Sequence, residues 1–289
     1  MLIYLINKGI KRVLKEKNIS VVMSVYKNDD TAFFEEAIKS ILNQSYLPVE
    51  IIIVVDGPVS KAINELLVFY ENEKLFKIIR LSENKGLANA LNIGIAEAKG
   101  NYIARMDSDD ICFEDRFKKQ IDFIVKENLD IVGGQIIEFG NNIEDVVSFR
   151  KVPLEHSEMI NFMKVRSPFS HPTILFRKEV FWGLNGYDVS IFPEDYDFFV
   201  RAYLKGYKFG NIDENVLWFR LGADRSKAIK RRWGMAYAKN EMKLYKNFLK
   251  LGFYSYPDFI KVLCVKIPLR ILPFSLYKFI YFRILRNNN

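Results

Sequence analysis

An acidic cluster, Asp107-Ser108-Asp109-Asp110, directly follows an apolar segment of the sequence. Three carboxylates within four residues repel one another unless a cation offsets their charge. A divalent ion bound by one or two carboxylates and by substrate phosphates would do so. Because side chains alternate along an extended chain, Asp107 and Asp109 point to the same side and are predicted as metal ligands. The alternative is a solvated acidic turn in which Asp109 or Asp110 caps a helix beginning near Phe113.

A second acidic cluster, Pro193-Glu194-Asp195-Tyr196-Asp197, precedes an amphipathic stretch much later in the chain. A carboxylate at the start of a helix is well placed to act as a general base beside a metal and a diphosphate. Ordinary capping by Glu194 or Asp195 is the alternative, because the helix dipole favours negative charge at this end.

The elements that would position these clusters alternate in type. Short β-branched runs predict buried strands, and amphipathic stretches predict helices. The predicted strands are Ile19–Val25, Glu50–Val55, Phe76–Leu81 and Asn101–Met106, and the predicted helices cover 31–43, 61–73, 86–98 and 114–126. This alternation predicts an α/β fold with a mostly parallel sheet flanked by helices.

Ligands of such sheets bind at the carboxyl ends of the strands. Polar residues follow each predicted strand there, namely Tyr26, Asp56, Asn84 and Asp107. The glycine-rich loops of dinucleotide-binding and P-loop proteins are absent from the sequence. The sequence therefore predicts a ligand site that uses neither loop.

The second half of the chain is less regular. It predicts strands over 130–134 and 135–140, a hairpin near Asn141, and a further strand over 173–177. Helices are predicted over 194–204 and 233–250.

Composition limits the classes of protein. The 289 residues are 49% hydrophobic and 27% charged, which is sufficient for a packed core. Two cysteines and two histidines exclude a disulfide scaffold, a cysteine zinc site and a multi-histidine metal centre. The cysteine usage favours a reducing, intracellular compartment.

The net charge of +8 is unevenly distributed. Residues 201–289 contain 19 Lys and Arg against 5 Asp and Glu, whereas residues 1–200 contain 24 against 30. From Phe259 onward, cations recur among bulky apolar residues without an uncharged run long enough to span a bilayer. An interfacial segment fits this pattern, with cations near lipid phosphates at Lys266, Arg270, Lys278, Arg283 and Arg286. A helical pair packed on the body is the alternative.

The N-terminal segment, residues 1–17, has apolar residues on one helical face and is predicted to be an amphipathic helix. It does not have the features of a good signal peptide.

As an ordered set, several motifs resemble the family 2 glycosyltransferases, which have the GT-A fold. The resemblance covers residues 18–222. The motifs are Val22-Met23-Ser24-Val25-Tyr26, Val54-Val55-Asp56-Gly57, Asn84-Lys85-Gly86-Leu87, Ala90-Leu91-Asn92-Ile93-Gly94, Asp107-Ser108-Asp109-Asp110 and Glu194-Asp195-Tyr196-Asp197.

The resemblance implies a role for each motif. Asp107 and Asp109 would hold Mn²⁺ or Mg²⁺ on the donor diphosphate. Asp195 would be the catalytic base of an inverting displacement, with Glu194 as the runner-up base or a ligand of the acceptor hydroxyl. The residues expected to bind the nucleotide-sugar are Ser24, Tyr26, Asp56, Asn84, Gly86, Arg105 and Ser108.

Two departures from the family pattern concern phosphate binding. Many relatives have an arginine where this chain has Leu91, so phosphate charge would fall on the metal, Lys85 or Arg105; Arg105 could instead orient the carboxylates. No histidine follows Trp218-Phe219-Arg220-Leu221-Gly222, where many relatives carry one. Arg220 or Arg225 could contact phosphate instead, or have a surface role.

The segment Ser167-Pro168-Phe169-Ser170-His171-Pro172-Thr173 is typical of the bacterial polysaccharide-building branch of this family. It would lie near the acceptor. His171 is expected to be a positioned loop residue rather than a metal ligand. Tyr187 and Asp188 could reach the acceptor or simply form a turn.

The function implied is transfer of a hexose, glucose or galactose, from a UDP-sugar to a lipid-linked saccharide such as GlcNAc-diphospho-undecaprenol. This would serve O-antigen, capsule or exopolysaccharide synthesis at the cytoplasmic face of the inner membrane.

The sequence is predicted to divide into an N-terminal segment 1–17, a catalytic domain 18–222 with halves 18–110 and 111–222, and a basic tail 223–289. A metal-dependent nucleotidyltransferase and a non-catalytic module binding nucleotide-sugar or nucleic acid are the alternatives. The tail lacks a recognised DNA-binding motif, so no nucleic-acid partner is expected.

Overall fold

A computed structural model describes residues 16–223, 226 and 230–280. The predicted N-terminal helix, apart from residues 16 and 17, lies outside this part of the chain. Arg225, Arg283 and Arg286, proposed to contact phosphates, also lie outside it.

The first half of the chain is a series of parallel βαβ units. Its elements are β1 (Ile19–Val25), α1 (Thr31–Leu42), β2 (Glu50–Val55), α2 (Lys61–Glu71), β3 (Phe76–Arg80), α3 (Leu87–Ala96) and β4 (Tyr102–Met106). The strands pair in parallel in the order β3-β2-β1-β4. Asp30 caps α1 by accepting the backbone N–H groups of Ala32 and Phe33. The bounds predicted for β1 and β2 are confirmed.

The second half extends the same sheet with mixed pairing. Its elements are β5 (Ile111–Cys112), α4 (Arg116–Lys126), β6 (Ile131–Phe139), β7 (Val146–Arg150), α5 (His156–Phe162), β8 (Leu175–Arg177), α6 (Lys178–Leu184), α7 (Glu194–Leu204) and β9 (Phe209–Arg220). Strand β8 is antiparallel to both β4 and β6, and β9 is parallel to β6 and antiparallel to β5. The sheet runs in the order β3-β2-β1-β4-β8-β6-β9-β5, with β7 beside β6.

Several predicted elements differ from the structure. The two strands predicted over 130–140 are one strand, β6, whose pairing shifts register near Gln135. The strand predicted over 173–177 begins at Leu175, because a 3₁₀ turn occupies His171–Thr173. Strands β5 and β9 and helices α5 and α6 were not predicted.

Two hydrophobic clusters cover the two faces of the sheet. Along β1, Val22 belongs to one cluster, and Val21 and Met23 belong to the other. Burial of both faces explains why the parallel strands are continuous apolar runs rather than alternating ones.

Three further helices, α8 (Met235–Lys250), α9 (Tyr256–Ile271) and α10 (Phe274–Ile280), form the described part of the tail. Tyr245 and Phe248 of α8 belong to the same cluster as Tyr196 and Phe198 of α7. The ring centroids of Tyr196 and Phe248 are 5.0 Å apart. The described tail therefore packs on the body, as the helical-pair alternative requires; the domain boundary after residue 222 stays a prediction.

Arg270 of α9 forms an ion pair with Glu241 of α8, with Nε 2.8 Å from the carboxylate. A second nitrogen donates to the same carboxylate at 2.9 Å, and both side chains are largely buried. The expectation that Arg270 contacts lipid phosphate is therefore wrong, because its charge is used within the fold. Among the described helices, none has the length and hydropathy needed to cross a membrane.

Candidate active site

The acidic turn lies at the carboxyl end of β4, above a buried arginine. The guanidinium of Arg105 is 2% exposed and grips both carboxylate oxygens of Asp107, at 2.6 and 2.5 Å. A bidentate pair of this kind fixes both the orientation and the charge of the carboxylate. Arg105 was predicted to bind the nucleotide-sugar; the structure instead gives it the alternative role, that of orienting a carboxylate.

Ser108 joins this turn to the end of β1. Its hydroxyl donates to Asp29 at 2.8 Å, and the same carboxylate oxygen accepts the backbone N–H of Tyr26 at 3.0 Å. Asp29 was not among the residues predicted for the site. A carboxylate in the turn after the first strand was the available signal, because that turn meets the β4 turn at one edge of the sheet.

Arg220, the last residue of β9, braces the other side of the turn. Its backbone N–H donates to Asp110 at 2.9 Å, and its Nε donates to the carbonyl of Asp109 at 2.8 Å. The guanidinium lies 3.9 Å from the ring centroid of Phe33 and 4.6 Å from that of Phe139. The predicted phosphate contact of Arg220 is therefore wrong, because these partners occupy the side chain.

Helix capping by Asp109 or Asp110 is also not observed. Helix α4 begins only at Arg116, and Asp115 occupies its cap position. The Asp110 carboxylate, which is fully buried, accepts from Arg220 instead.

The acidic turn has the donors that a divalent cation requires. Asp107, Asp109 and Asp110 can each present one oxygen within 4.8 Å of the others. The second oxygen of Asp110 is buried and has no hydrogen-bond partner among the described residues. Burial, and then the charges of Asp107 and Asp29, raise the pKa of Asp109 to about 7. A hard cation with oxygen ligands would relieve this repulsion and satisfy the buried oxygen. Asp110 was not predicted as a ligand.

The predicted nucleotide residues after β2 and β3 form one structural unit. Asp56 accepts the backbone N–H groups of Lys85 and Gly86 at 2.6 and 2.9 Å, and the Asn84 amide donates to the Asp56 carbonyl at 3.3 Å. Gly57 has φ +83°, and a Cβ there would lie 2.6 Å from the Asn84 nitrogen. Only glycine fits this close approach, which fixes the 84–86 turn.

Ser24 and Tyr26 lie at the end of the neighbouring strand β1, both half-buried. The structure therefore brings the predicted nucleotide residues to a single edge of the sheet. Their contacts with a nucleotide stay a prediction.

The second acidic cluster opens α7, where Glu194 is buried and Asp195 is half-buried. Burial, and then the Asp195 carboxylate, raise the pKa of Glu194 to about 7; Arg105 lowers it and Asp107 raises it further. Burial also raises the pKa of Asp195, and the Arg105 charge acts against this rise. Since Arg105 and Asp107 influence Glu194, the two acidic clusters lie within electrostatic range of each other.

Asp197, in the same turn, has a structural role. It is completely buried, pairs with Arg201 at 2.6 Å and accepts from Asn247 of α8 at 2.8 Å. Arg201 in turn donates to the carbonyls of Leu184 and Gly186. Asp197 therefore anchors α7 to the tail and to the loop before it.

His171 and Tyr187 form the buried floor beside Arg105. The His171 Nε2 and the Tyr187 hydroxyl are 3.0 Å apart, and Asn92 pairs with both backbone groups of Tyr187 at 2.8 and 2.9 Å. Burial, followed by the Arg105 charge, lowers the pKa of His171 well below its usual value, so the ring is neutral. Tyr187 is too buried to reach an acceptor, and Asp188 accepts the Ser190 N–H within a turn.

The fold and site define a class of protein: an α/β protein in which polar residues and an acidic turn lie at the carboxyl ends of parallel strands, with a second pair of carboxylates at the start of α7. The family described as "Glycosyl transferase family 2" matches residues 20–184. The chain belongs to this family and is a glycosyltransferase with the GT-A fold. Neither the nucleotidyltransferase nor the non-catalytic alternative is retained.

Relatives match along nearly the whole chain. An uncharacterised glycosyltransferase of Haemophilus influenzae is 34% identical over 92% of this chain and 98% of its own length. The UDP-Gal:alpha-D-GlcNAc-diphosphoundecaprenol beta-1,3-galactosyltransferase of Escherichia coli is 32% identical over 92% of this chain and 96% of its own length. Amylovoran biosynthesis glycosyltransferase AmsE of Erwinia amylovora is 28% identical over 91% of this chain and 97% of its own length. The second relative is thus named for transfer of galactose to a lipid-linked GlcNAc, and the third for amylovoran biosynthesis.

Solved structures share the fold at low identity. Residues 1–349 of Staphylococcus aureus TarS, in complex with UDP-GlcNAc, align with a TM-score of 0.64 and 17% identity over 92% of this chain and 76% of that one. The mannosyltransferase PcManGT of Pyrobaculum calidifontis, in complex with GDP-Man and Mn²⁺, aligns with a TM-score of 0.63 and 14% identity over 98% of this chain and 83% of that one.

Replacement of Arg220 by Gln tests the brace on the acidic turn. The variant loses the bond to the Asp109 carbonyl, and we expect Mn²⁺ to bind about 10- to 100-fold more weakly, as for other residues that orient metal ligands. Mn²⁺ titration followed by electron paramagnetic resonance, with UDP present, measures this. Glu36→Gln is the control, because it removes the negative charge of an outer partner of Arg220 and leaves the bonds to the turn intact. Unchanged Mn²⁺ affinity in folded Arg220→Gln would contradict the interpretation.

The pKa of Glu194 predicts the pH dependence of catalysis. A carboxyl group with a pKa of about 7 is charged above this pH and neutral below it. We expect kcat/KM to fall as the pH decreases through this range, because neutral Glu194 no longer attracts an acceptor hydroxyl proton. Assays at saturating Mn²⁺ keep Asp109 charged. Glu194→Gln should remove the part of this limb near pH 7 and leave the fall at lower pH that protonation of Asp195 causes; a limb that persists near pH 7 in the variant would assign it to another group.

Proposed function

We propose that this glycosyltransferase moves a hexose, galactose or glucose, from a UDP-sugar to a lipid-linked saccharide such as GlcNAc-diphospho-undecaprenol. The observation that supports the proposal is that buried Arg105, which pairs with Asp107 of the acidic turn, also lies within electrostatic range of Glu194 and Asp195 of α7. The Escherichia coli relative, named for galactose transfer to such an acceptor, supports the choice of substrates. The product would enter O-antigen, capsule or exopolysaccharide synthesis.

Each element of the cleft has a task in this reaction. The uridine would lie against Ser24, Tyr26, Asp56, Asn84 and Gly86 at the strand ends. Ser108 and Asp29 hold the loops on either side of the donor. Asp107, Asp109 and Asp110 would hold Mn²⁺ or Mg²⁺, which supplies positive charge to the leaving diphosphate.

Asp195 is the proposed general base. It takes the proton of the acceptor hydroxyl while that oxygen attacks the anomeric carbon from the face opposite the diphosphate. A single displacement of this kind inverts the anomeric configuration. Glu194 would orient the hydroxyl. The positive charge of buried Arg105 stabilises the charged carboxylates of both acidic clusters.

A donor screen tests this function. With Mn²⁺ and a GlcNAc-diphosphate-lipid analogue, the wild type should release UDP from UDP-galactose or UDP-glucose, and a chelator should stop the release. Asp195→Asn should lower kcat by a factor of about 100 or more, because a positioned base contributes at least this much. UDP binding by this variant should be unchanged. Full turnover by folded Asp195→Asn would remove the base from the mechanism.

We also propose that the tail places the enzyme on the cytoplasmic face of the inner membrane. Exposed apolar side chains recur on α9 and α10, namely Tyr256, Ile260, Val265, Ile271, Leu276 and Phe279. Lys261 and Lys278 are exposed on the same helices, whereas Lys266 is half-buried. Apolar side chains with adjacent cations suit an anionic lipid surface.

Vesicle binding tests the membrane proposal. Val265→Asp with Phe279→Asp should reduce co-sedimentation with phosphatidylglycerol vesicles, because each change places a carboxylate in the lipid-facing surface. Phe69→Asp is the matched control, since Phe69 is 66% exposed on α2, in a different part of the fold. Equal co-sedimentation of the wild type, the double variant and the Phe69→Asp control would contradict a membrane role for α9 and α10.

A further inference from the structure

An exposed aromatic side chain lies three residues before the proposed base in the sequence. Phe192 is 47% exposed, in the loop that leads to α7, and Asp195 is half-buried in the first turn of that helix. A single exposed apolar residue is ordinary on a protein surface. Phe192 differs from such a residue because a second ring, contributed by the tail, contacts it.

Helix α8 holds the loop that carries Phe192. The rings of Phe192 and Tyr237 meet edge to face, with centroids 5.9 Å apart, and this is a favourable arrangement for an aromatic pair. Two residues earlier in the loop, the Ser190 carbonyl accepts a hydrogen bond from Lys243 of α8 at 2.5 Å. The Phe192 ring is therefore held in place while about half of its surface stays open.

Tyr237 is itself fixed by the ion pair of the tail. The Arg270 guanidinium lies 4.8 Å from the centroid of the Tyr237 ring, and Glu241 accepts two hydrogen bonds from that guanidinium, at 2.8 and 2.9 Å. A cation at this distance from an aromatic ring is attracted to it. The Tyr237 side chain is half-buried, and its hydroxyl has no hydrogen-bond partner among the described residues. The hydroxyl is therefore available to a ligand.

This hydroxyl lies within electrostatic range of the proposed base. Burial is the main influence that raises the pKa of Tyr237 to about 12; Arg232 acts against this rise, and the charges of Glu241 and Asp195 add to it. The phenol is therefore neutral near pH 7 and can donate a hydrogen bond. An open aromatic ring and an unused hydroxyl donor thus lie beside the carboxylate proposed to take the acceptor proton.

We propose that Phe192 and Tyr237 bind the acceptor sugar, with the Phe192 ring stacked on the C–H face of the pyranose and the Tyr237 hydroxyl bonded to one of its oxygens. A pyranose has an apolar face and a polar rim, so a ring beside a free donor matches both parts. The inference rests on the proposed function, because a sugar whose hydroxyl gives its proton to Asp195 must contact the residues around Asp195. The donor hexose is also a pyranose, so the test must distinguish it from the acceptor.

Phe192→Ala and Phe192→Tyr test the stacking contact. Phe192→Ala should raise the KM of a soluble GlcNAc-diphosphate-lipid analogue about five- to tenfold, the size of one aromatic contact, with kcat little changed. Phe192→Tyr keeps a ring and should restore the KM. Trp182→Ala is the matched control, because Trp182 is 54% exposed on α6. Thermal unfolding shows that each variant is folded.

Tyr237→Phe tests the hydroxyl. This change keeps the ring, and with it the contacts to Phe192 and Arg270. The KM of the same analogue should rise about three- to tenfold, as for the loss of one neutral hydrogen bond. A KM within about twofold of wild type in folded Phe192→Ala or in Tyr237→Phe overturns the proposal, because such a change is smaller than one contact of this kind provides.

Two comparisons identify the ligand. The KM of the UDP-sugar and the calorimetric affinity for UDP with Mn²⁺ should match the wild type in every variant; a rise in the KM of the UDP-sugar alone would assign the contacts to the donor and overturn the proposal. Acceptor analogues with a short alkyl chain and with a long lipid should lose the same factor. A loss confined to the long-lipid analogue would also overturn it, because the ring would then contact lipid.

Failure of the proposed function gives a different result. If the wild type releases no UDP with this acceptor, the proposed function fails, and calorimetry of the analogue with UDP and Mn²⁺ bound decides the inference. Weaker binding by Phe192→Ala and Tyr237→Phe than by the wild type supports the sugar site. Equal affinities, or no binding by the wild type, overturn it.

Discussion

Repulsion among carboxylates is the constraint on which the rest of this site depends. Asp107, Asp109 and Asp110 share one turn, and the charge of Asp107 also acts on Glu194 of α7. A buried charge is tolerated only with a partner, and breaking such a pair typically costs about 3 to 5 kcal/mol. Arg105 is that partner for Asp107, and its positive charge also acts to lower the pKa of Glu194 and Asp195 of α7. The remaining repulsion favours a divalent cation and a proton on Glu194 or Asp109 near neutral pH.

The acidic turn is held from three directions, so its carboxylates keep their positions without help from a regular element. Arg105 fixes Asp107 from within β4, Ser108 bonds to Asp29 at the end of β1, and Arg220 of β9 bonds to the two residues that follow. Strand β9 can do this because its antiparallel pairing with β5 sets Trp218 opposite Ile111. The second half of the sheet therefore completes a site whose ligands come from the first half.

The tail contributes to the site as well as to the exposed apolar surface. Asn247 of α8 bonds to buried Asp197, one turn from the proposed base, and Phe248 packs on Tyr196 between them. Trp233 and Gly234, just before α8, bond to the carbonyls of Leu272 and Arg270 at the end of α9. The helices that present apolar side chains to solvent are thus physically joined to α7, which carries the proposed base.

Local patterns in the sequence determined the parallel half of the fold. The apolar runs of β1 and β2 and the first turn of α7 gave correct bounds, because burial on both faces and helix-start signals are properties of neighbouring residues. They also placed Asp56, Asp107 and Asp109 at strand ends. Strand β9 escaped recognition because exposed Asp213 and Glu214 interrupt its apolar pattern, and only pairing with β6 makes it a strand.

Tertiary structure alone decided which charges meet. Sequence could name Arg105 and Arg220 as candidates for phosphate, but burial and partners assign both to the protein itself. Arg220 lies 111 residues from Asp109, and Asp29 lies 79 residues from Ser108. Contacts across such separations depend on strand order and register, which no local pattern encodes. The same long-range packing brings Glu194 into the electrostatic field of Asp107, although 87 residues separate them in the sequence.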